Sequence, residues 1–191
     1  KDEESIAIWQ AQFLIKGIEA EIGERIFTYP KKKNWWGPAG QTGPCGPDTE
    51  IFYDTGRDHD PNFSEACHPN CDCGRFIEIW NDVFMQYEKR AYGSFVPLAQ
   101  KNVDTGMGLE RVAALLQGKE TIFETELFSG IFAALEELSD KTYGQDVGVT
   151  QSFRIIGDHL RAATFVIGDE HGVTPSNVGQ GYIVRRLIRR A

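Results

Sequence analysis

The sequence is poor in several things at once. No stretch approaches the roughly 20 consecutive apolar residues that a membrane helix needs, so no membrane-spanning helix is expected. No basic, apolar leader precedes the first helix signal, so export is not expected and the cytoplasm is the expected location. Cysteine is scarce, at four residues in 191. Without an export signal a disulfide framework is a poor expectation. Positive charge is in deficit too: 20 Lys and Arg against 28 Asp and Glu give a net charge of −8, which argues against a general nucleic-acid coat. The remaining composition, 41% apolar and 25% charged, is ordinary for a globular chain with one sizeable core. The average charge hides an asymmetry, because Arg154 to Ala191 holds six arginines and three acids. Both ends read as cut: Lys1 leads straight into an acidic helix start, and Ala191 closes an arginine-rich helix pattern.

Along the chain, Asp2 to Ala20 predicts a helix whose face of Ile6, Trp9 and Phe13 packs on a sheet. Ile26 to Tyr29 reads as a short strand. Lys31 to Pro47, KKKNWWGPAGQTGPCGP, carries four glycines and three prolines and is neither helix nor long strand. Its paired tryptophans either wall a pocket or plug a core edge. Asp48 to Asp54 alternates enough for a strand, and its Glu50 is exposed or paired by residue type alone. Arg75 to Glu88 has period two with apolar residues on both faces, which predicts an interior antiparallel strand. Asn81 interrupts one of those faces, and a buried amide must be hydrogen-bonded. Ala91 to Gln100 reads as a turn and short strand.

The stretch KNVDTGMGLERVAALLQ, Lys101 to Gln117, holds the most chemistry. A helix is expected from Leu109, with Leu109, Val112, Ala113 and Leu116 on one face. Arg111 falls in the first turn, where exposed amides favour negative charge, so it needs an outside reason such as a bound anion. A surface ion pair is the plain alternative. Gly106 and Gly108 permit close approach of a ligand to the backbone. With Asp104 at the mouth of the turn, Asp104 and Arg111 could hold an amine and a polyphosphate.

Between Thr55 and Gly74 lies an irregular insertion in which Cys67, His68, Cys71 and Cys73 fall within seven residues. Soft donors this dense suggest a structural Zn2+. The spacing is not a clean pair of CxxC knuckles, His59 could replace one donor, and an ordered metal-free loop is the alternative. After Gly118 the composition turns helical, which places a boundary between units 1–119 and 120–191. Thr121 to Ser139 is expected to be helical with Leu127, Ile131, Ala134, Leu135 and Leu138 inward, and Phe153 to Phe165 with Ile156, Leu160 and Ala163 inward. In Tyr182 to Ala191, Ile183, Val184, Leu187 and Ile188 are expected to pack, opposite Arg185, Arg186, Arg189 and Arg190. Those arginines either form surface ion pairs or meet a phosphate-bearing partner.

These segments resemble the alanyl-tRNA synthetase family of the class II aminoacyl-tRNA synthetases. VDTGMGLER is similar to motif 3, NWWGPAG with TGPCGPDTEIFYD to the family signature, and PSNVGQGYIVRRLIRRA to the opening of the tRNA-recognition domain. The resemblance runs in order from near Trp36 to Ala191. It implies an α+β fold: an antiparallel class II synthetase-type sheet with flanking helices, then the start of a helical domain. The implied activity is alanine–tRNA ligase, in which alanine and ATP with Mg2+ form alanyl-adenylate and the alanyl group passes to tRNA(Ala). Asp104, Arg111 and Asn81 would serve catalysis. Trp36 and Gly106 would shape the substrate pocket, and Asn81 and Asp104 would hold the amino acid. Glu50, Gly108 and Arg111 would belong to the ATP site. Asn177, Arg185, Arg186, Arg189 and Arg190 would face the tRNA acceptor stem. Some members carry a Cys-rich insertion at the position of Cys67, His68, Cys71 and Cys73. Nothing between Lys1 and Pro30 resembles motifs 1 and 2, so the chain is expected to be a fragment that is inactive alone. A synthetase-derived, non-catalytic acceptor-stem-binding module is the competing expectation, and the oligomeric state is open.

Overall fold

A computed structural model describes residues 2–191, which divide into two compact units, one ending at Val112 and the other beginning at Ala113. The first unit opens with α1 (Glu3–Ile15). Asp2 caps it by accepting from the Ser5 amide at 3.0 Å, an arrangement worth about 1 kcal/mol. Gly17, at φ 72°, ends the helix before the expected Ala20. Ile6, Trp9 and Phe13 are its half-buried side, but no residue of α1 is buried. The expected packed scaffold helix is therefore not found. Ile8, Leu14 and Ile15 are apolar on the remaining faces and stay exposed. The expected strand at 26–29 reduces to a single bridge between Ile22 and Ile26.

The sheet is antiparallel, with β1 (Gly43–Cys45), β2 (Asp48–Asp54), β3 (Phe76–Lys89) and β4 (Phe95–Met107). β3 is its centre. β1 pairs with the end of β3 and β2 with its beginning, along one edge, while β4 pairs along the other. This is what a strand apolar on both faces requires, and Val83 and Met85 are buried. Gly46 joins β1 to β2. A Cβ there would stand 1.7 Å from the Phe84 carbonyl oxygen, so only glycine lets the joint lie against β3. A bulge interrupts strict alternation: Ile51 pairs with Trp80, but Phe52 pairs with Glu78. Past it, Glu78 joins the sheet face that carries Asn81 and Val83.

α2 (Leu109–Leu116) follows β4 directly. Its buried residue is Ala114, with Val112 and Ala113 half-buried, whereas Leu109 and Leu116 are exposed, contrary to the expected face. In the second unit a single 3-10 turn at Ile122–Glu124 precedes α3 (Glu126–Ser139), α4 (Val147–Gly168) and α5 (Gly179–Arg190). The core is aromatic: Phe128, Phe132 and Phe153, with Tyr143 stacked on Phe132 at 4.4 Å. Leu138 and Leu160, expected inside, are exposed, because the helices are phased by their phenylalanines. α4 begins six residues earlier than expected, at a cap where Asp146 accepts from the Val149 amide at 2.8 Å. α5 buries Gly181 and Val184, while Ile183 and Ile188 lie exposed beside the arginines.

Candidate functional site

Register gathers chemistry that the sequence separates. Glu50, Asn81 and Gly106 are paired in one row across β2, β3 and β4, and Asp48, Val83 and Asp104 form the next row on the same face. At a strand spacing of about 4.8 Å, each row spans about 10 Å between outer Cα atoms. This face thus brings together Glu50, Asn81, Asp104 and Gly106. Gly108 follows at the end of β4, its amide donating to the Ile79 carbonyl at 3.2 Å.

Asn81 is the most informative member. Its Nδ2 donates to Asp48 at 3.4 Å, and its Oδ1 is buried with no hydrogen-bond partner. An unpaired buried acceptor costs about 1–3 kcal/mol, so this oxygen favours a ligand that brings a donor. Beside it, the position where Gly106 would carry a Cβ has no atom within 4 Å. Asp104 is exposed in the adjacent row, and no described side chain bonds its carboxylate. An amide oxygen, a free carboxylate and open space together suit a small ammonium-bearing molecule.

The two tryptophans separate into two roles. Trp35 stacks on Tyr87 at 5.7 Å, meets Phe95 edge-on and lies under the Lys31 ammonium at 3.6 Å, so it plugs the sheet edge. Trp36 is held through its backbone, which exchanges hydrogen bonds with Gly46 at 2.9 and 3.1 Å, and the residue stays 39% exposed.

Besides Asp104, the same face carries the carboxylates of Asp48, Glu50 and Glu78. Asp48, which accepts from Asn34 at 3.1 Å through its carbonyl, has its carboxyl pushed up chiefly by burial. Burial, then the charges of Glu78 and Asp48, push Glu50 from 4.5 to about 7. Glu50 and Glu78 line a cavity of about 350 Å³ with Phe52 and Phe76, and residues 69–72 and Gly74 form its other side. Arg111 does not stand free: its Nη1 donates to the Glu78 carbonyl at 2.8 Å and lies 3.4 Å from the carboxylate. At half exposure that pair is worth at most about 1 kcal/mol, which a phosphate can displace. Gly108 packs beneath the arginine stem, where a Cβ would lie 3.2 Å from Cδ. Asp48 and Glu78 were not singled out from sequence, although Asp48 alternates with Glu50 and so shares its face.

Glu50 gives a pH prediction. Its folded pKa is raised, so the folded state holds the proton more tightly and stability falls as pH rises from 4.5 to about 7. Glu50→Gln removes that slope and raises stability at pH 8, by on the order of 1 kcal/mol after allowance for solvent screening. Urea denaturation of both proteins at pH 5 and pH 8 is the check, and equal slopes would contradict it.

A second cluster lies in the irregular loop after β2. The donor atoms of His59, Cys67, Cys71 and Cys73 all fall within 4.8 Å of one another. His68, expected among them, is elsewhere: its Nδ1 is hydrogen-bonded to the Tyr29 hydroxyl at 2.9 Å. His59 takes its place. The neighbouring His59 imidazole holds the Cys73 thiol down at about 6.

In the second unit, Arg185, Arg186, Arg189 and Arg190 line α5, and no described carboxylate pairs with any of them. Arg186 lies over the Tyr182 ring at 6.0 Å. Asn177 is exposed two residues before the start of α5, next to its capping residue Val178. Among the described residues no helix is long and apolar enough to cross a membrane.

An antiparallel sheet carrying such a face, followed by helices, is the class II synthetase arrangement. The family model described as tRNA synthetases class II (A) matches residues 1–191, and the chain belongs to that family. It is similar throughout to curated alanine–tRNA ligases. That of Treponema denticola is 52% identical over 191 residues, which is 100% of this chain and 30% of that protein. The ligase of Borrelia hermsii is 46% identical over 100% of the chain and 30% of its own length. For that of Petrotoga mobilis the values are 44%, 100% and 21%. The chain thus spans less than a third of the relatives it matches.

Proposed function

We propose that the protein carrying this chain is an alanine–tRNA ligase acting in cytoplasmic protein biosynthesis. It activates alanine with ATP and Mg2+, releases pyrophosphate, and transfers the alanyl group to tRNA(Ala). The unpartnered Asn81 Oδ1, in the same sheet face as Asp104 and the open position at Gly106, is the observation that carries the reading. In this reading Asp104 and Asn81 hold the alanine ammonium, and Gly106 and Trp36 bound the space for its methyl. A pocket of this kind discriminates poorly against a substrate differing by one methyl or hydroxyl, by only about 1–3 kcal/mol. Arg111, over Gly108, turns from Glu78 to the ATP phosphates. Glu50 and Glu78 supply hard oxygen donors on the nucleotide side, the kind that Mg2+ accompanying ATP prefers. No general base is needed, because alignment and charge stabilisation carry the chemistry. With one arginine for a triphosphate, the 191 residues alone are proposed not to complete it. The test is ATP–pyrophosphate exchange by the full-length protein: exchange that requires alanine supports the reading, and a folded protein without alanine-dependent exchange overturns it.

The units 1–119 and 120–191 are read as the later part of the catalytic domain and the start of a tRNA-recognition domain. The unpaired arginines of α5 and the exposed Asn177 support acceptor-stem binding. Arg185→Ala with Arg186→Ala is expected to weaken tRNA(Ala) binding and to reduce the slope of log K against log salt by about 1 to 2. An unchanged slope would contradict it. The same strip is what favours the second reading, a non-catalytic acceptor-stem-binding module, which predicts this loss with no exchange activity.

A further inference from the structure

We propose that His59, Cys67, Cys71 and Cys73 bind one thiolate-preferring divalent cation of the zinc type, and that this ion sets the loop wall of the cavity lined by Glu50 and Glu78. Three thiols and an imidazole form a soft, four-donor set of the kind that closes a tetrahedral structural site. The spacing agrees. Metal–sulfur bonds of about 2.3 Å put tetrahedral ligand atoms about 3.8 Å apart. Cys67 Sγ and Cys73 Sγ are 3.7 Å apart, and Cys71 Sγ lies 3.8 Å from His59 Nδ1. The sulfurs are much farther apart than the roughly 2.0 Å of a disulfide.

The surroundings are arranged for the same purpose. His59 Nε2 donates to the Ser64 carbonyl at 2.9 Å. That bond fixes the tautomer and leaves the Nδ1 lone pair toward the sulfurs, as outer-sphere partners do for metal-bound histidine. Cys71 is buried and accepts from the Ser64 hydroxyl at 3.2 Å. The loop is otherwise ordered by local turns and by the bond between His68 and Tyr29. Its base is closed by the Thr55 amide, which donates to the Arg75 carbonyl at 2.9 Å, and by the paired Asp54 and Arg75 side chains. Its large apolar residue, Phe63, is 55% exposed, so the loop has no core of its own. An ion would supply the missing cross-link.

Cys71 is both a donor and a member of the cavity lining, together with Pro69, Asn70 and Asp72. An ion held by Cys71 would therefore be bonded directly to a residue of the wall that faces Glu50 and Glu78. The site stands on these donors alone, and its failure would leave the ligase reading untouched.

The experiment is titration of the reduced, metal-stripped chain with Co2+, then displacement by Zn2+. The expected result is the absorption of a tetrahedral thiolate cobalt site at one ion per chain. His59→Ala is expected to lower affinity at least about tenfold, while His68→Ala leaves it unchanged. Failure to bind with all four thiols reduced would overturn the site. Loss on His68→Ala with retention on His59→Ala would overturn the assigned donors. Hydrogen exchange measured on the same samples reads the wall: Zn2+ should protect residues 69–74, and binding without that protection would overturn the link to the cavity.

Discussion

Asp104→Ala in the full-length protein is expected to lower kcat/KM for alanine in ATP–pyrophosphate exchange by about 10- to 150-fold, the range for losing a hydrogen bond to a charged group at about 1.5–3 kcal/mol. Asp104 lies one row from Asn81 and Gly106 on one sheet face, with no competing side-chain partner among the described residues. Its carboxylate is therefore free to meet an ammonium. The substitution removes no core atom, since Asp104 is exposed, so folding should survive. Binding of tRNA should be unchanged. A loss in exchange of less than about threefold, against the same 10- to 150-fold expectation, would remove Asp104 from the alanine site. Equal loss of tRNA binding would point to a structural defect instead.

Phe132→Ala is expected to destabilise the second unit by about 3–5 kcal/mol, the usual cost of removing a buried aromatic ring. Phe132 touches Tyr143, Phe153, Phe128 and Phe123 at ring distances of 4.4 to 6.3 Å. It also fills the space against Gly157, where a Cβ would come within 2.8 Å of its ring. No small shift of one helix refills such a gap. Denaturant melting followed by near-ultraviolet circular dichroism reads the loss, and a change below about 1 kcal/mol would show that the core is organised otherwise.

Much of this was legible in the sequence. The central strand announced itself because it is apolar at odd and even positions alike, although its two buried residues, Val83 and Met85, lie on one face. Asn81 stood out as a polar residue within such a run. What hid were features set by distant partners. The bulge at Ile51 and Phe52 has no signature in either strand, yet it moves Glu78 onto the face of Asn81 and beneath Arg111. His68 looked the natural fourth donor because it lies beside Cys67. Tyr29, 39 residues away, takes its ring nitrogen, and the loop brings in His59. Leu138 and Leu160 fitted a helical stripe, but the pair Phe128 and Phe132, four residues apart, buries more surface and fixes the phase of α3. The early start of α4 was masked by the β-branched and glycine residues of its first turn, although Asp146 was a readable cap.

The pairing of Asn81 and Asp104 around one small amino acid is tested most directly by calorimetric binding of a non-hydrolysable alanyl-adenylate analogue to the full-length protein. Asn81→Ala and Asp104→Ala should each weaken binding by about tenfold or more, while Arg185→Ala with Arg186→Ala should leave it unchanged. Equal affinity of the wild-type, Asn81→Ala and Asp104→Ala proteins would contradict the assignment of this face to alanine.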